Sequence, residues 1–314
     1  MRDLFEVMDH DLRPKEPFRV RDDDDEIVKL EKLLIQTKFI GDTSMIAEIL
    51  VNMGQILIQR GDADDAEKKL QMAYVHLIDK RPPRRPFGPD LGGEKTDRDT
   101  LIYTTFVLLG QIAIKRGKLA DAESKLKAAR DVIRKMGNDD LFIKISLDLS
   151  DIQARRRDID GAIATLSEGA QRAMQRGDDE LKAITSLNLG IFHSFKNDLE
   201  EARGFYERAS TIFERIGSIK DAMRANLCLV ELYQANDMRN ETRAILDKVL
   251  AQLTKNLDPV MIDILGNRIA MFYQAPFDLV PWKDFLKKFK KLCENAGKPG
   301  IARAIDDMMR DGGI

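Results

Sequence analysis

Cysteine is almost absent from this chain: Cys228 and Cys293 are the only two among 314 residues. Two thiols build no disulfide framework, so a cytoplasmic location is the default expectation. Histidine is scarce too, and His10, His76 and His193 are widely spaced and lack a cysteine or carboxylate at ligand spacing. No metal and no cofactor is therefore expected. Net charge is nearly missing too, at −2, which gives no overall attraction for nucleic acid or an acidic membrane. There is no run of eighteen apolar residues to cross a bilayer. The opening Met1-Arg2-Asp3-Leu4-Phe5-Glu6 is too acidic for a signal peptide. Neither a phosphate-cradling glycine loop nor a nucleophile elbow occurs, so enzymatic chemistry is not expected. Proline is absent from residue 90 to residue 258, as uninterrupted helices joined by Gly, Asn and Asp turns require.

What the chain does have is a pattern that returns every 40 residues: Leu149-Ser150-Asp151-Ile152, Leu189-Gly190-Ile191-Phe192, Leu229-Val230-Glu231-Leu232. Twelve residues after the second member stands a small residue (Ala162, Ala202, Thr242), with a bulky one four further on (Leu166, Tyr206, Leu246). Two earlier segments keep the register, Gly54 leading to Ala66 and Leu70, and Gly110 to Ala122 and Leu126. A fixed period of this size marks a stacked repeat architecture. Glycines at Gly41, Gly137, Gly177 and Gly217 read as helix C-caps before Asp, Asn or Ser N-caps. A second break divides each unit, at Arg60-Gly61-Asp62, Arg116-Gly117-Lys118, Arg157-Asp158, Lys196-Asn197-Asp198 and Asn236-Asp237.

The spacing Leu-Gly-x-x-aromatic, then Ala, then a large apolar residue resembles the tetratricopeptide repeat, over about residues 26–290. The resemblance implies an all-α, right-handed superhelical solenoid of helix-turn-helix units, with Gly and Ala at the point where two helices cross. The match is looser at Val230/Thr242, and Ala270/Trp282 keeps only the first site. A 40-residue period is longer than the family's basic 34. Repeats of this longer kind are similar to those of kinesin light chain, of a spindle-orientation adaptor and of bacterial peptide-pheromone receptors, which imply a peptide or protein segment held in a concave channel.

The organisation expected is an extension over 1–25, a half unit plus first repeat over 26–80, an insertion over 81–99, repeats over 100–275 and capping helices over 276–314. Three segments depart from the period. The insertion arises because Gly54 and Gly110 stand 56 apart; its Lys80-Arg81-Pro82-Pro83-Arg84-Arg85-Pro86-Phe87 stretch cannot be helical, and reads as a surface loop or as a lid carrying Phe87 and Leu91. In the extension, Leu4, Phe5, Met8 and Leu12 have helical spacing, and Asp22 to Asp25 read as a solvated run favouring the next helix N-terminus. After Pro281, Trp282, Phe285, Leu286, Phe289 and Leu292 share one helical face while Lys283, Lys287, Lys288, Lys290 and Lys291 take the other. That helix reads as a terminal cap, with membrane contact expected only through its basic face over 282–292.

By the resemblance, the first helix of each unit lines the concave face. The register then puts Val51, Asn52 and Gln55 there, followed by Gln111 and Lys115, and by Asp148, Asp151 and Arg155. It continues with Asn188, Ile191 and Phe195, with Arg224 and Glu231, and with Asn267, Arg268 and Met271. Asn52 and Asn188 stand where longer-period members hold a peptide backbone by paired hydrogen bonds, a task that suits an amide because it both donates and accepts. The Lys and Asn pair of a chaperone-tail clamp is absent, its sites holding Val51 and Gln55. The expected function is a protein-interaction adaptor with a protein or peptide partner. A ligand-gated sensor is the alternative, and nucleic-acid binding by helical repeats a third, disfavoured reading.

Overall fold

The computed structural model describes residues 25–79, 97–272 and 282–313; the expectations for residues 1–24 and for 81–96 of the insertion fall outside them. Asp25 caps the first helix, as its run of aspartates suggests, and Arg98 and Asp99, assigned to the insertion, already belong to a helix. Among the described residues there are fourteen α-helices and no strand. Helices α1 (Glu26–Ile40), α2 (Thr43–Arg60), α3 (Ala63–Ile78), α4 (Arg98–Lys115) and α5 (Leu119–Met136) precede α6 (Asp139–Arg155). There follow α7 (Ile159–Arg176), α8 (Asp179–Phe195), α9 (Leu199–Arg215), α10 (Ile219–Ala235), α11 (Arg239–Lys255), α12 (Pro259–Phe272), α13 (Lys283–Asn295) and α14 (Pro299–Asp311). They gather into two compact units, one ending at Ile145 and the other beginning at Ser146, within α6.

The helix ends lie where the turn residues demand. Left-handed backbone recurs at Gly137, Gly177 and Gly217, and between them at Gly117, Arg157, Asn197 and Asp237, so each series repeats every 40 residues. At the second series the φ angles of Arg157, Asn197 and Asp237 are 66°, 63° and 53°. Asn and Asp tolerate this region, whereas for Arg157 the Cβ contact with the backbone costs about 1–2 kcal/mol. The following N-caps are carboxylates or amides: Asp178 Oδ1 accepts from Leu181 N–H at 3.0 Å, and Asn138 Oδ1 from Leu141 N–H at 3.1 Å. Each satisfies a donor that the first turn of a helix leaves open. Ser218 makes no such bond and instead donates to Asp221 Oδ2 at 2.7 Å.

Within a repeat the glycine meets the bulky residue four positions beyond the alanine. A Cβ on Gly54 would stand 2.7 Å from Leu70, and one on Gly190 2.6 Å from the Tyr206 ring, so only the missing side chain lets the helices approach. Ala66, Ala122, Ala162 and Ala202 are fully buried beside these contacts. The last pair departs from the register: Ala270 is exposed. On α12 it is Gly266 that is approached closely, by Ile301 of α14, because Trp282 begins a helix of a different kind instead of completing a repeat.

The first unit has a core to which α1, α2, α3 and α4 contribute Leu34, Leu50, Leu70 and Ile112. In the second, the C-terminal core joins Leu246, Val249 and Leu253 of α11, Leu265 of α12, Phe285 and Phe289 of α13 and Ile305 of α14. All five apolar residues of the 282–292 face are buried there, while Lys283, Lys287, Lys288 and Lys291 are exposed. No described helix is long and apolar enough to cross a membrane.

One junction in this unit is polar. Ser210 Oγ on α9 donates to Asn226 Oδ1 on α10 at 2.8 Å, and both are buried. From α11, Lys248 Nζ lies 2.8 Å from Glu214, and Gln252 Nε2 donates to the same carboxylate at 2.8 Å. Three consecutive helices are thus tied through polar side chains.

Candidate functional site

Because the side-chain register repeats with the helices, the first helices from Ser146 onward present matched columns. One runs Asp148, Asn188, Cys228, Arg268 on α6, α8, α10 and α12; another runs Asp151, Ile191, Glu231. Between α8 and α10 these columns border a groove of about 560 Å³. Ile184, Leu187 and Ile191 give it apolar walls, with Asn188, Asp221 and Arg224 at polar positions. Phe213 and Ile216 at the end of α9 also line it, brought there by the turn at Gly217. Three of the expected binding residues, Asn188, Ile191 and Arg224, are thereby brought together.

Most polar side chains on this face are engaged within the chain. Asn188 Nδ2 donates to Ile184 O of its own helix at 2.9 Å. Arg155 meets Asp151 at 2.9 Å, Arg224 meets Asp221 at 3.3 Å, and Arg268 forms an ion pair with Glu231 across α12 and α10. Asp148 forms no ion pair among the described residues. Its side chain is exposed, yet desolvation at the helix surface, reinforced by the Asp151 charge, holds its carboxyl above the usual carboxylate range. Burial likewise pushes the Cys228 thiol up, although the nearby Arg224 and Arg268 guanidinium groups pull the other way.

Phe195, at the C-terminal end of α8, is 67% exposed, an unusual degree for an aromatic side chain, and stands outside the α8–α10 groove. Asn267 is exposed on α12 and also lies outside that groove. In the first unit Asn52 and Gln55 on α2, and Gln111 and Lys115 on α4, are all exposed. Val51 is not a surface residue: it is 2% exposed and belongs to the core that includes Leu34 of α1, because the preceding half unit covers that side of α2. His193 packs structurally, its Nδ1 3.1 Å from Asp198 and its ring stacked on Phe205. Among the described residues no three His, Cys, Asp or Glu side chains are grouped to hold a metal ion.

The register did not disclose a second cavity, of about 530 Å³, between α7, α8 and α9, lined by Met174, Leu189, Phe205 and Ile212 with Lys182 and Arg208 beside them. Forty residues on, the matching positions are Glu214, Asn226, Lys248 and Gln252 of the polar junction. Ser186 in place of Asn226 and Ala170 in place of Ser210 leave this space open. That substitution of short for long side chains was the available signal.

No family model matches the chain. It is 31% identical over 143 residues to human tetratricopeptide repeat protein 19, mitochondrial, an alignment covering 39% of this chain and 38% of that protein. The chain therefore matches well under half the length of that relative. Among solved structures, the apo form of RapI has a TM-score of 0.63 at 11% identity, covering 91% of this chain and 79% of RapI. A signal transduction ATPase with a tetratricopeptide repeat sensor, from Pyrococcus horikoshii, has a TM-score of 0.60 at 15% identity, covering 89% and 42%. The helices of this chain are thus tetratricopeptide-like repeats.

Proposed function

We propose that this chain of tetratricopeptide-like repeats is a non-enzymatic interaction module that holds an extended segment of a partner protein, or a peptide, along the first helices of its repeats. The observation carrying this reading is the α8–α10 groove, where Ile184 and Ile191 offer apolar contact beside the Asn188 amide and the Arg224 guanidinium. Such a mixture suits a peptide, whose backbone needs hydrogen bonds and whose side chains supply anchors. With one amide hydrogen committed to Ile184 O, Asn188 keeps its Oδ1 to accept a backbone N–H.

Affinity capture from the native cell identifies the partner, and titration of its minimal segment tests the site. Asn188→Ala is expected to weaken binding by roughly 0.5–1.5 kcal/mol, and Phe195→Ala by more if the exposed ring is an anchor. The control is Lys287→Glu on the exposed basic face of α13. Full affinity in both α8 variants together with loss in Lys287→Glu would move the site to that basic helix.

A second reading is favoured by the likeness to an ATPase whose repeats are described as a sensor. On that reading ligand binding changes the arrangement of the helices. Compaction in small-angle scattering on adding the peptide supports a sensor; an unchanged curve with a stably bound protein supports an adaptor. A cytoplasmic location belongs to the proposal as well, while the human relative's name says mitochondrial. Cell fractionation decides between them.

A further inference from the structure

The cavity between α7, α8 and α9 differs from the same place in the repeats before and after it. In the following repeat the positions are filled by linked polar groups. Lys248 Nζ lies 2.8 Å from Glu214 and donates to Ser210 Oγ at 3.4 Å, and Ser210 Oγ donates to Asn226 Oδ1 at 2.8 Å. In the preceding repeat Arg130 and Arg134 lie over the Phe142 ring, 4.7 and 5.5 Å from its centroid. Here Ala170 and Met174 occupy the matching positions, and about 530 Å³ is left open. Two polar groups at the opening are consequently unanswered. Arg208, in the place of Lys248, makes no ion pair among the described residues and lies over the Phe205 ring, 5.4 Å from its centroid. Ser186, in the place of Asn226, is 5% exposed, and its hydroxyl makes no hydrogen bond among the described residues. Neighbouring Thr185 is satisfied, donating to Leu181 O at 2.8 Å. Among the described residues the lining holds two cations, Arg208 and Lys182, and no carboxylate; Lys182 shares Asp179 with Arg215.

We infer that this cavity binds a small aliphatic carboxylic acid, whose carboxylate accepts from Arg208 and Ser186 and whose hydrocarbon lies against Leu189, Phe205 and Ile212. A buried hydroxyl without a partner gains from an acceptor, and a guanidinium gains more from a carboxylate than from a neutral group. One ligand group can serve both. In the following repeat a single oxygen, Ser210 Oγ, bridges the cation at Lys248 and the side chain at Asn226, the positions that Arg208 and Ser186 hold here. Ala170 supplies no such oxygen and Met174 no carboxylate, so the acid stands in for the pair that Ser210 and Glu214 provide. The volume falls within the range of roughly 300–1,000 Å³ usual for small-molecule sites. No Asn or Gln side chain lines it to hold a peptide backbone, in contrast to the α8–α10 groove with Asn188. The two sites use opposite faces of α8, Ser186 and Leu189 on one and Asn188 and Ile191 on the other, so this inference does not rest on the peptide groove.

The test is methionine-methyl NMR of the intact chain titrated with octanoate, the Met174 signal being assigned from Met174→Leu. Octanoate is expected to shift the Met174 methyl saturably, and octanol, which lacks the charge, to bind about tenfold more weakly. Arg208→Gln, at an exposed position, weakens octanoate about tenfold and leaves octanol unchanged, as a direct charge pair requires. The double variant Ala170→Ser/Ser186→Asn, which puts the polar pair of the following repeat into the cavity, abolishes the shift while the remaining methionine signals stay folded. Equal affinity for octanoate and octanol, or undiminished octanoate binding in Arg208→Gln, overturns the carboxylate assignment. A Met174 signal that octanoate leaves unmoved, or binding that survives the double variant, overturns the site itself.

Discussion

At the residue scale the chain bears a local cost at Asp148. Its carboxyl is pushed up in the folded chain, first by desolvation and then by Asp151, so ionisation is less favourable there than in the unfolded chain. The sign follows: the cost is absent well below the ordinary aspartate value, where both states are protonated, and is complete above the raised folded value. Asp148→Asn is therefore expected to raise the melting temperature at pH 7, and the gain over wild type is expected to vanish towards about pH 3. Thermal melts of both proteins across this range check it, and an unchanged or lowered melting temperature at pH 7 refutes it. Arg157 carries a cost of another kind, its left-handed backbone kept because the 40-residue turn series requires that conformation.

At the scale of the helix pair, the small residues decide how close the axes come. Ala202 is fully buried on α9 beside the Gly190–Tyr206 contact. Ala202→Leu is expected to destabilise by roughly 1–3 kcal/mol through overpacking. A substitution at exposed Glu200 in the same turn should be nearly neutral. Denaturant melts of the two variants make the comparison, and equal tolerance would contradict the crossing geometry. These crossings were legible in the sequence because Gly54, Gly110 and Gly190 recur in register with their bulky partners, and periodicity reports which side of a helix is covered. It does not report by what. Val51 has the spacing of a surface position but is covered by the half unit α1, and Ala270 has the spacing of a crossing but is left exposed as the repeat series gives way to the cap. The groove shows the same division. Asn188, Ile191 and Arg224 follow from the register, whereas Phe213 and Ile216 reach it through the path of the chain at Gly217. The Ser210–Asn226 junction needs three helices at once, which no single period encodes.

At the scale of the whole molecule, stability in a stacked array is passed between neighbours, since each helix pair touches chiefly the pairs beside it. Phe289 is fully buried in the C-terminal core with Leu246, Leu265 and Phe285. Phe289→Ala is expected to cost about 3–5 kcal/mol there. Hydrogen exchange should then accelerate across α11–α14 while α2–α4 keep wild-type protection. Equal acceleration throughout would mean that the chain unfolds as one cooperative body. The polar junction of α9, α10 and α11 limits how such a chain can change its number of units. Excising 40 residues from Asn197 to Asn236 would join α8 to α11 in correct phase, a change repeat genes make by recombination. It would also put Lys248 and Gln252 in the places of Arg208 and Ile212, facing Met174 in place of Glu214 and Ser186 in place of Asn226, so both would lose the Glu214 carboxylate that they share. Units of identical length are therefore not interchangeable parts here, and gain or loss of a repeat is tolerated only at seams that carry no such private match.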